Sequence, residues 1–168
     1  MRVLMIIAKF HPHIGGAERQ ALQLARRLID RGVSVDVLTR KTNNLPACET
    51  IQGVPVYRSI RTLNRGKCFG VSYMLSVAAF LLFKGRAYDI IHCHVCGLHA
   101  VAGVLMRPFL SAGVLAKAAI AGPDSDFRQL EEHLFGKHLI RIVCRRDCLV
   151  AICRDTREEA VRAGNSRD

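Results

Sequence analysis

The 168-residue sequence predicts a doubly wound α/β fold, in which about six strands form a mostly parallel sheet between helices. The first observation is a nearly unbroken apolar run over residues 2–8, bounded by Pro and Gly, which is typical of a strand buried on both faces. The second is an amphipathic helix over residues 16–31, followed at once by the apolar run of residues 33–38. A strand–helix–strand unit with short connections implies a right-handed crossover and parallel strands.

The first helix has one apolar face and well-marked ends. Glu18 lies in the first turn, where the helix dipole favours an anion, and Arg31 followed by Gly32 is typical of a helix C-terminus. Helical spacing places six apolar residues in one stripe: Ala17, Ala21, Leu24, Ala25, Leu28 and Ile29. We expect this stripe to pack against the sheet.

The rest of the chain continues the alternation of strands and helices. A proline in the third strand favours an edge or strand-start position. In chain order we predict a loop over 39–50, a strand over 53–58, a helix over 69–83, a strand over 88–94 and a helix over 97–106. A strand over 113–120, a loop over 121–128, a helix from about 129 to 146 and a strand over 148–152 follow. Asp155 is predicted to cap the last helix, with Glu158 completing a capping box.

The composition indicates one globular domain with a basic surface. Half of the residues are apolar, the net charge is +11 and 6% of the residues are aromatic. Because no basic run alternates with aromatic residues, a nucleic-acid interface is not predicted, and an anionic membrane surface or an anionic ligand fits the charge better. Seven scattered cysteines without a secretory signal before them indicate a reducing cytoplasm.

The helix over residues 69–83 is almost entirely apolar. It is shorter than the roughly 20 residues that a membrane-spanning helix needs, so a buried or half-buried helix is the default expectation. The flanking basic residues also permit interfacial membrane contact, although by themselves they fit a solvated surface better. These flanking residues are Arg61, Arg65, Lys67, Lys84 and Arg86.

Two adjacent glycines, Gly15 and Gly16, lie between the first strand and the first helix. A loop of this kind brings free backbone N–H groups of the helix close to a ligand, because no Cβ atom stands in the way. The sequence therefore predicts an anion site here, with a tight turn that binds nothing as the alternative. No Lys-Ser/Thr pair follows the glycines, which argues against a P-loop.

A cluster of histidines and cysteines follows the fourth strand. His92, Cys93, His94, Cys96 and His99 raise the possibility of a zinc site, but no second cysteine pair lies at zinc-ribbon spacing. Cys93-x-x-Cys96 also has redox spacing, yet Cys93 falls inside the predicted strand rather than at a helix start. We expect neither bound zinc nor redox chemistry.

Three stretches of the chain carry a resemblance. The first runs through His-Pro-His-Ile-Gly-Gly-Ala-Glu-Arg at 11–19, the amphipathic helix, and Arg-Gly-Val-Ser-Val-Asp-Val-Leu-Thr at 31–39. The others are Asp-Ile-Ile-His-Cys-His at 89–94 and Val-Ala-Ile-Cys-Arg-Asp-Thr-Arg-Glu-Glu at 150–159. In this order they resemble the N-terminal domain of a retaining glycosyltransferase of family 4, with the Rossmann-like GT-B fold.

The resemblance implies an acceptor-side domain over residues 1–164, a tail over 165–168, and a donor-binding C-terminal domain that this chain lacks. It implies transfer of a sugar from a nucleotide-diphosphate sugar to a hydroxyl acceptor, in cell-envelope, polysaccharide or glycolipid synthesis, without a metal or other cofactor. We expect a lipid-linked or phosphorylated acceptor, peripheral binding at the inner membrane face, no nucleic-acid partner, and an inactive chain when alone.

The same resemblance assigns candidate site residues. Gly15, Gly16 and Glu18 are expected at the donor phosphates or substrate, and His13, His94, Asp126 and Arg128 at the acceptor. Cys153 stands where family members usually have Ser. No histidine follows the fifth strand, over residues 119–122, so the role of that family residue cannot be carried over and no catalytic residue is assigned.

Two alternatives to this interpretation are kept. One is a non-catalytic Rossmann-like binding module, such as a degenerate paralogue. The other is a flavodoxin-like protein that binds a nucleotide or flavin.

Overall fold

The computed structural model describes residues 1–42, 44–63, 68–120, 122, 124–133 and 135–165. The predicted flanking cations Arg65 and Lys67, and the end of the predicted tail, lie outside these residues. The strands are β1 (Arg2–Ile6), β2 (Ser34–Arg40), β3 (Cys48–Ile51), β4 (Val54–Ile60), β5 (Ile90–His94), β6 (Gly113–Ala118) and β7 (Cys148–Ala151). The helices are α1 (Gly16–Ile29), α2 (Cys68–Lys84), α3 (Leu98–Met106), α4 (Asp126–Glu131), α5 (Gly136–Val143) and α6 (Arg154–Asn165).

The strands form one twisted sheet in the order β3-β4-β2-β1-β5-β6-β7. All neighbouring strands are parallel except β3, which pairs antiparallel with β4. The chain starts in the middle of the sheet at β1, builds outward to β3, and then returns to build the other half from β5 to β7. This doubly wound, mostly parallel α/β architecture is the predicted fold class.

Apolar side chains on the two faces of the sheet form two cores. On one face, Met5 and Val37 pack against Ala21 and Ala25 of α1, and the predicted apolar stripe of α1 is buried or half-buried there. On the other face, strand residues such as Ile91 and Val114 pack beneath α2, α3, α5 and α6. Because strands buried on both faces must be apolar throughout, the continuous apolar runs identify the central strands correctly.

The structure has seven strands instead of about six, because residues 39–50 are not all loop. Cys48–Ile51 is an edge strand that forms a hairpin with β4 through Gln52 and Gly53, whose φ angles are +50° and +84°. Left-handed conformations at both turn residues are typical of a two-residue hairpin. An edge strand needs only one buried position, here Ile51, so its polar composition concealed it.

The helix predicted from about 129 to 146 is wrong as a single element. Ser125 caps α4, accepting a hydrogen bond from the Arg128 backbone N–H through its hydroxyl (3.3 Å), so the helix begins inside the predicted loop. The left-handed conformation of Phe135 (φ +65°) then separates α4 from α5.

The predicted cap of the last helix is also misplaced. Helix α6 begins at Arg154, so Asp155 lies inside its first turn. At this end the Cys153 backbone N–H donates to the Thr156 hydroxyl (3.2 Å). Glu158 does not complete a capping box; its carboxylate pairs with Arg154 and Arg162 along the helix surface.

A buried arginine ties the edge hairpin to the loop after β1. The Arg58 side chain is 1% exposed, pairs with the Glu49 carboxylate of β3, and donates to the His11 carbonyl oxygen (2.6 Å). A buried guanidinium needs these partners, because removal from water is costly for an uncompensated charge. The Arg58–Glu49 pair therefore positions the start of the loop that leads to Gly15.

We predict that Glu49→Gln lowers the free energy of unfolding by about 3 kcal/mol, because it leaves Arg58 buried without a counter-charge. This value is at the low end of what breaking a buried ion pair usually costs, because the Glu49 side chain is 28% exposed. Urea unfolding measures the change. Glu158→Gln, which removes an exposed pair on α6, is the matched control and should cost about 0–1 kcal/mol. Equal losses in the two variants would contradict the role of the buried pair.

Candidate functional site

The loop after β1 leaves the N-terminus of α1 open. Gly15 is the N-cap residue, in an extended conformation (φ −114°), and no side chain caps the first turn. A Cβ atom added at Gly16 would meet nothing within 4 Å, whereas one at Gly15 would collide with the Glu18 carboxylate. Gly16 is thus exposed at the start of α1, where the positive end of the helix dipole lies.

Glu18 and His13 lie close to this turn. The Glu18 side chain folds back over Gly15, and both residues line a cleft of about 460 Å³ together with Ile14. His13 is exposed and also borders a second cleft, of about 540 Å³, which contains Arg40, Lys41 and Arg61. His13, Gly15, Gly16 and Glu18 therefore lie close together after β1, and their binding roles stay a prediction.

A buried lysine joins this loop to β6. Lys117 is 5% exposed, and its ammonium group donates to the Gln20 side-chain oxygen, one helical turn after Gly16. Within the described part of the chain no carboxylate lies within ion-pair distance of it. Burial lowers the pKa of Lys117, while the more distant Asp126 carboxylate acts in the opposite direction. The sheet edge thus holds a cationic group that lacks a counter-charge in direct contact.

Two stacked imidazoles lie beside Lys117. The ring centroids of His92 and His94 are 4.2 Å apart, His94 is 1% exposed, and His94 pairs with Lys117 in the β5–β6 register. Among the described residues, neither ring nitrogen of His94 has a hydrogen-bond partner, nor does Nε2 of His92. Burial, reinforced by the neighbouring cations, lowers the pKa of His92 to about 4 and that of His94 to about 2. Both rings are therefore neutral at pH 7.

Asp126 links the loops that follow β5 and β6. Its Oδ2 accepts hydrogen bonds from the Ala119 N–H (2.7 Å) and the Cys96 N–H (3.3 Å), while its buried Oδ1 has no partner in the part of the chain that the structure describes. Burial raises the pKa of Asp126, although the backbone donors and Lys117 oppose that shift. Asp126 is thus a clamp between two loops with one oxygen left unpaired, a feature that buried polar groups rarely show without a reason.

His99 has a structural contact on the opposite face of the sheet. Its Nε2 lies 2.8 Å from the His94 carbonyl oxygen and its Nδ1 lies 3.3 Å from the Tyr73 hydroxyl of α2. Burial lowers the pKa of His99 to about 4, so a neutral ring with Nε2–H donating and Nδ1 accepting satisfies both contacts. This pair of bonds fixes the end of β5.

The cysteine pair in this region lacks the properties of a redox centre. Cys93 and Cys96 are both free and buried. Burial raises the pKa of both thiols, that of Cys96 to about 12, whereas catalytic redox thiols have lowered pKa values. Among the described residues no group of three His, Cys, Asp or Glu side chains is placed to hold a metal ion.

Arg128 lies apart from the other candidates. Although Asp126 is buried at the sheet edge, Arg128 is exposed and lines a cleft of about 660 Å³ between α4, α5 and α6. This cleft has an apolar floor containing Phe127 and Ile140. Four cations surround it, partly balanced by Glu131 and Glu159: Arg128, Lys137, Arg141 and Arg162.

Sequence reasoning missed Lys117 and Gln20. The available signal was a lysine inside the otherwise apolar run of residues 113–120, which forms β6, because a buried strand rarely carries a charge without a function or a partner. Gln20 gave no such signal, since it lies on the polar face of α1 and only the fold places it above β6.

The open helix turn, the buried lysine and the unsatisfied imidazoles all lie at the carboxyl ends of β1, β5 and β6. Doubly wound sheets bind their ligands at this edge. Fold and site together define a Rossmann-like binding domain, of the kind that forms each half of a GT-B glycosyltransferase.

The comparison with protein families identifies the family. The glycosyl transferase 4-like domain model matches residues 15–168, and the chain belongs to that family. The family's chemistry implies a sugar donor and an acceptor as its partners. A search of curated protein sequences gives no match.

Solved structures of similar fold include two of sucrose-phosphate synthase from Thermosynechococcus elongatus. One aligns with a TM-score of 0.65 and 19% identity, covering 96% of this chain and 80% of that structure. The other aligns with a TM-score of 0.67 and 21% identity, covering 95% of this chain and 44% of that structure. At these identities the comparison supports the GT-B-like fold, and this chain spans less than half of the second structure.

We predict that the buried histidines make the protein less stable in acid. Unfolded histidines bind protons as the pH falls below about 6.5, whereas burial lowers the pKa of folded His92 and His99 to about 4 and that of His94 to about 2. Because the unfolded chain then holds more protons, the free energy of unfolding falls between pH 6.5 and 4, by up to about 1.4 kcal/mol per pH unit for each histidine.

Urea unfolding at a series of pH values measures this slope. His94→Asn should make it shallower, because one buried neutral ring is removed. His138→Gln removes an exposed histidine of α5 and should keep the wild-type profile. A His94→Asn profile with an unchanged slope would show that His94 does not contribute.

Proposed function

We propose that this chain is the acceptor-side domain of a retaining glycosyltransferase, which transfers a sugar from a nucleotide-diphosphate sugar to a hydroxyl acceptor. The observation that carries the proposal is the link from the buried Lys117, through Gln20, to the open first turn of α1 at Gly16. We further propose a cytoplasmic protein that acts at the inner membrane face in cell-envelope, polysaccharide or glycolipid synthesis. The family match favours this hypothesis over a flavodoxin-like protein.

The donor diphosphate is assigned to the loop at Gly15 and Gly16. Free N–H groups at a helix start bind phosphate oxygens, and a buried ammonium without an ion pair strengthens the field for an anion. Gly16 faces open space, so a phosphate reaches the backbone without displacing a side chain. When the glycosidic bond to the diphosphate breaks, these groups would stabilise the negative charge on the leaving group.

Glu18 is assigned to the sugar rather than to the phosphates. Its carboxylate folds over Gly15, where it would repel a diphosphate in direct contact. A carboxylate accepts hydrogen bonds from hydroxyl groups, and sugar hydroxyls are suitable donors. The 460 Å³ cleft in which Glu18 and His13 lie has room for a monosaccharide.

The acceptor is assigned to the other predicted residues. His94 and Asp126 each present unpaired buried atoms at the sheet edge, which a hydroxyl group can satisfy once the site closes around its ligands. Arg128 belongs to the cationic 660 Å³ cleft, which fits a phosphate group on the acceptor. His13, at the rim of the two clefts beside α1, would contact the acceptor as it approaches the donor.

We predict that Gly16→Val weakens binding of inorganic pyrophosphate to the 168-residue chain by at least about tenfold, because the new side chain covers the exposed N–H groups. The substitution meets no neighbouring atom within 4 Å at its Cβ, so the fold is retained. Isothermal calorimetry measures the affinity, with thermal unfolding as a check on stability.

Ala79→Val is the matched control, because it adds the same side chain at an exposed position of α2, on the opposite side of the sheet. This control should bind pyrophosphate as the wild type does. Equal affinity in Gly16→Val and Ala79→Val would remove the glycine loop from the donor site.

We also predict that the 168-residue chain folds but does not transfer sugar. Transfer requires donor and acceptor to be positioned together and the leaving diphosphate to be stabilised, and we propose that a second domain supplies the main contacts to the nucleotide of the donor. A radiolabelled sugar-transfer assay with a complete two-domain homologue as positive control tests this. Turnover above background from this chain would place the whole donor site within its own residues.

A further inference from the structure

Helix α2 exposes an apolar face to the outside of the domain. Residues spaced by three, four and one positions form one stripe about 18 Å long, calculated from 1.5 Å per residue. Leu75 is 65% exposed and Phe83 is 83% exposed. The whole stripe consists of Val71, Leu75, Ala79, Leu82 and Phe83.

The opposite face of α2 is anchored in the domain. Tyr73, Val77 and Leu81 are buried in the core, and the Ser76 and Ser72 hydroxyls accept hydrogen bonds from the Arg61 and Leu63 N–H groups (both 2.9 Å). By length and composition alone the stretch Cys68–Ala87 could cross a membrane. A third of this stretch is buried inside the domain and would have to leave the core if the helix crossed a membrane. A helix that lies flat on the membrane surface would instead bury only its exposed stripe.

More apolar side chains flank the stripe. Leu63, exposed, lies beside the first half of α2 through its bond to Ser72. Phe109, also exposed, lies beyond the end of α2, where its carbonyl oxygen accepts a bond from Arg86 (3.4 Å). Exposed apolar residues therefore occur near both halves of α2 in addition to the stripe itself, which is more than the single exposed apolar residues of ordinary surfaces.

The charged residues of the segment that contains α2 are all basic. From residue 50 to residue 88 the sequence contains no Asp or Glu. Described cations lie along or beyond the helix: Arg61, Lys84, Arg86 and Arg107, of which Arg107 is paired with Asp147. An apolar stripe with positive residues at its edges complements an anionic lipid surface, where apolar side chains enter the acyl boundary and cations contact headgroups.

We propose that the outer face of α2 docks this protein on an anionic lipid bilayer, with the helix lying parallel to the membrane. The inference rests on the proposed function and deepens it, because it specifies the surface by which the domain would reach a lipid-borne acceptor. Leu75 and Phe83 insert between the lipids, and Lys84 and Arg86 contact phosphate groups.

The test is sedimentation of the 168-residue chain with vesicles of phosphatidylcholine containing phosphatidylglycerol, or of phosphatidylcholine alone. The wild type should bind the anionic vesicles, and added salt should weaken that binding. Leu75→Ser with Phe83→Ser should reduce it by at least about tenfold, since two inserting side chains are lost. The matched control is Val161→Ser, at a half-exposed apolar position on α6, and it should bind as the wild type does.

A second pair of variants tests the charge. The double variant Lys84→Gln/Arg86→Gln should bind the anionic vesicles more weakly, by about fivefold for each of the two cations removed. Arg157→Gln, at an exposed position on α6, should leave binding unchanged.

Three outcomes would overturn the proposal. Equal binding to anionic and neutral vesicles, or undiminished binding by the Leu75→Ser/Phe83→Ser variant, would contradict it. So would a wild-type dimer in light scattering that this variant dissociates, with no vesicle binding, because a second copy of the chain would then be the occupant. Vesicle binding needs no sugar donor, so its failure is distinct from failure of the pyrophosphate test.

Discussion

The Asp126 carboxylate sets the geometry of the candidate site. By accepting from the Cys96 and Ala119 N–H groups it joins the loops after β5 and β6, which the sheet alone would leave independent. The His99 ring holds the same end of β5 from the other face, through the His94 carbonyl oxygen. Loss of the Asp126 acceptor would leave two buried N–H groups unpaired, at about 1–3 kcal/mol each. The positions of His94 and Lys117 depend on these bonds.

The same edge of the sheet concentrates polar groups that the protein itself does not satisfy. Lys117 has an amide oxygen in place of a carboxylate, His94 has no hydrogen-bond partner on its ring, and Asp126 has a free oxygen. Each costs stability in the unliganded protein, and three such costs at one edge are unusual in a small domain. An anion beside Lys117 and hydroxyl groups beside the ring and the carboxylate would satisfy all of them, which is why the site fits a sugar phosphate better than an apolar ligand.

The sequence predicted the central sheet well, because a continuous apolar run indicates a strand buried on both faces and helical spacing indicates the apolar stripe of α1. The prediction was less successful where the backbone conformation of one or two residues decides whether a strand or helix begins or ends. The β3 strand depends on a hairpin turn at Gln52 and Gly53, and the break between α4 and α5 depends on one left-handed residue, Phe135. Gly15 and Gly16 were assigned to the candidate site from local pattern alone, and that assignment stays a prediction. The contact between Gln20 and Lys117 joins residues far apart in sequence, so no local pattern contains it.

Helix α2 connects the proposed docking surface with the candidate site. A crossover helix runs antiparallel to the strands it follows, so its first turns lie at the carboxyl edge of the sheet. Tyr73, on the buried face of these turns, contacts His99, which in turn bonds to the His94 carbonyl oxygen. The proposed docking surface and the candidate site therefore approach the same carboxyl edge from the two faces of the sheet, because Lys117 contacts Gln20 of α1 on the other face. An acceptor whose lipid tail stays in the membrane would reach the site around this edge, whereas a soluble acceptor would gain nothing from this placement.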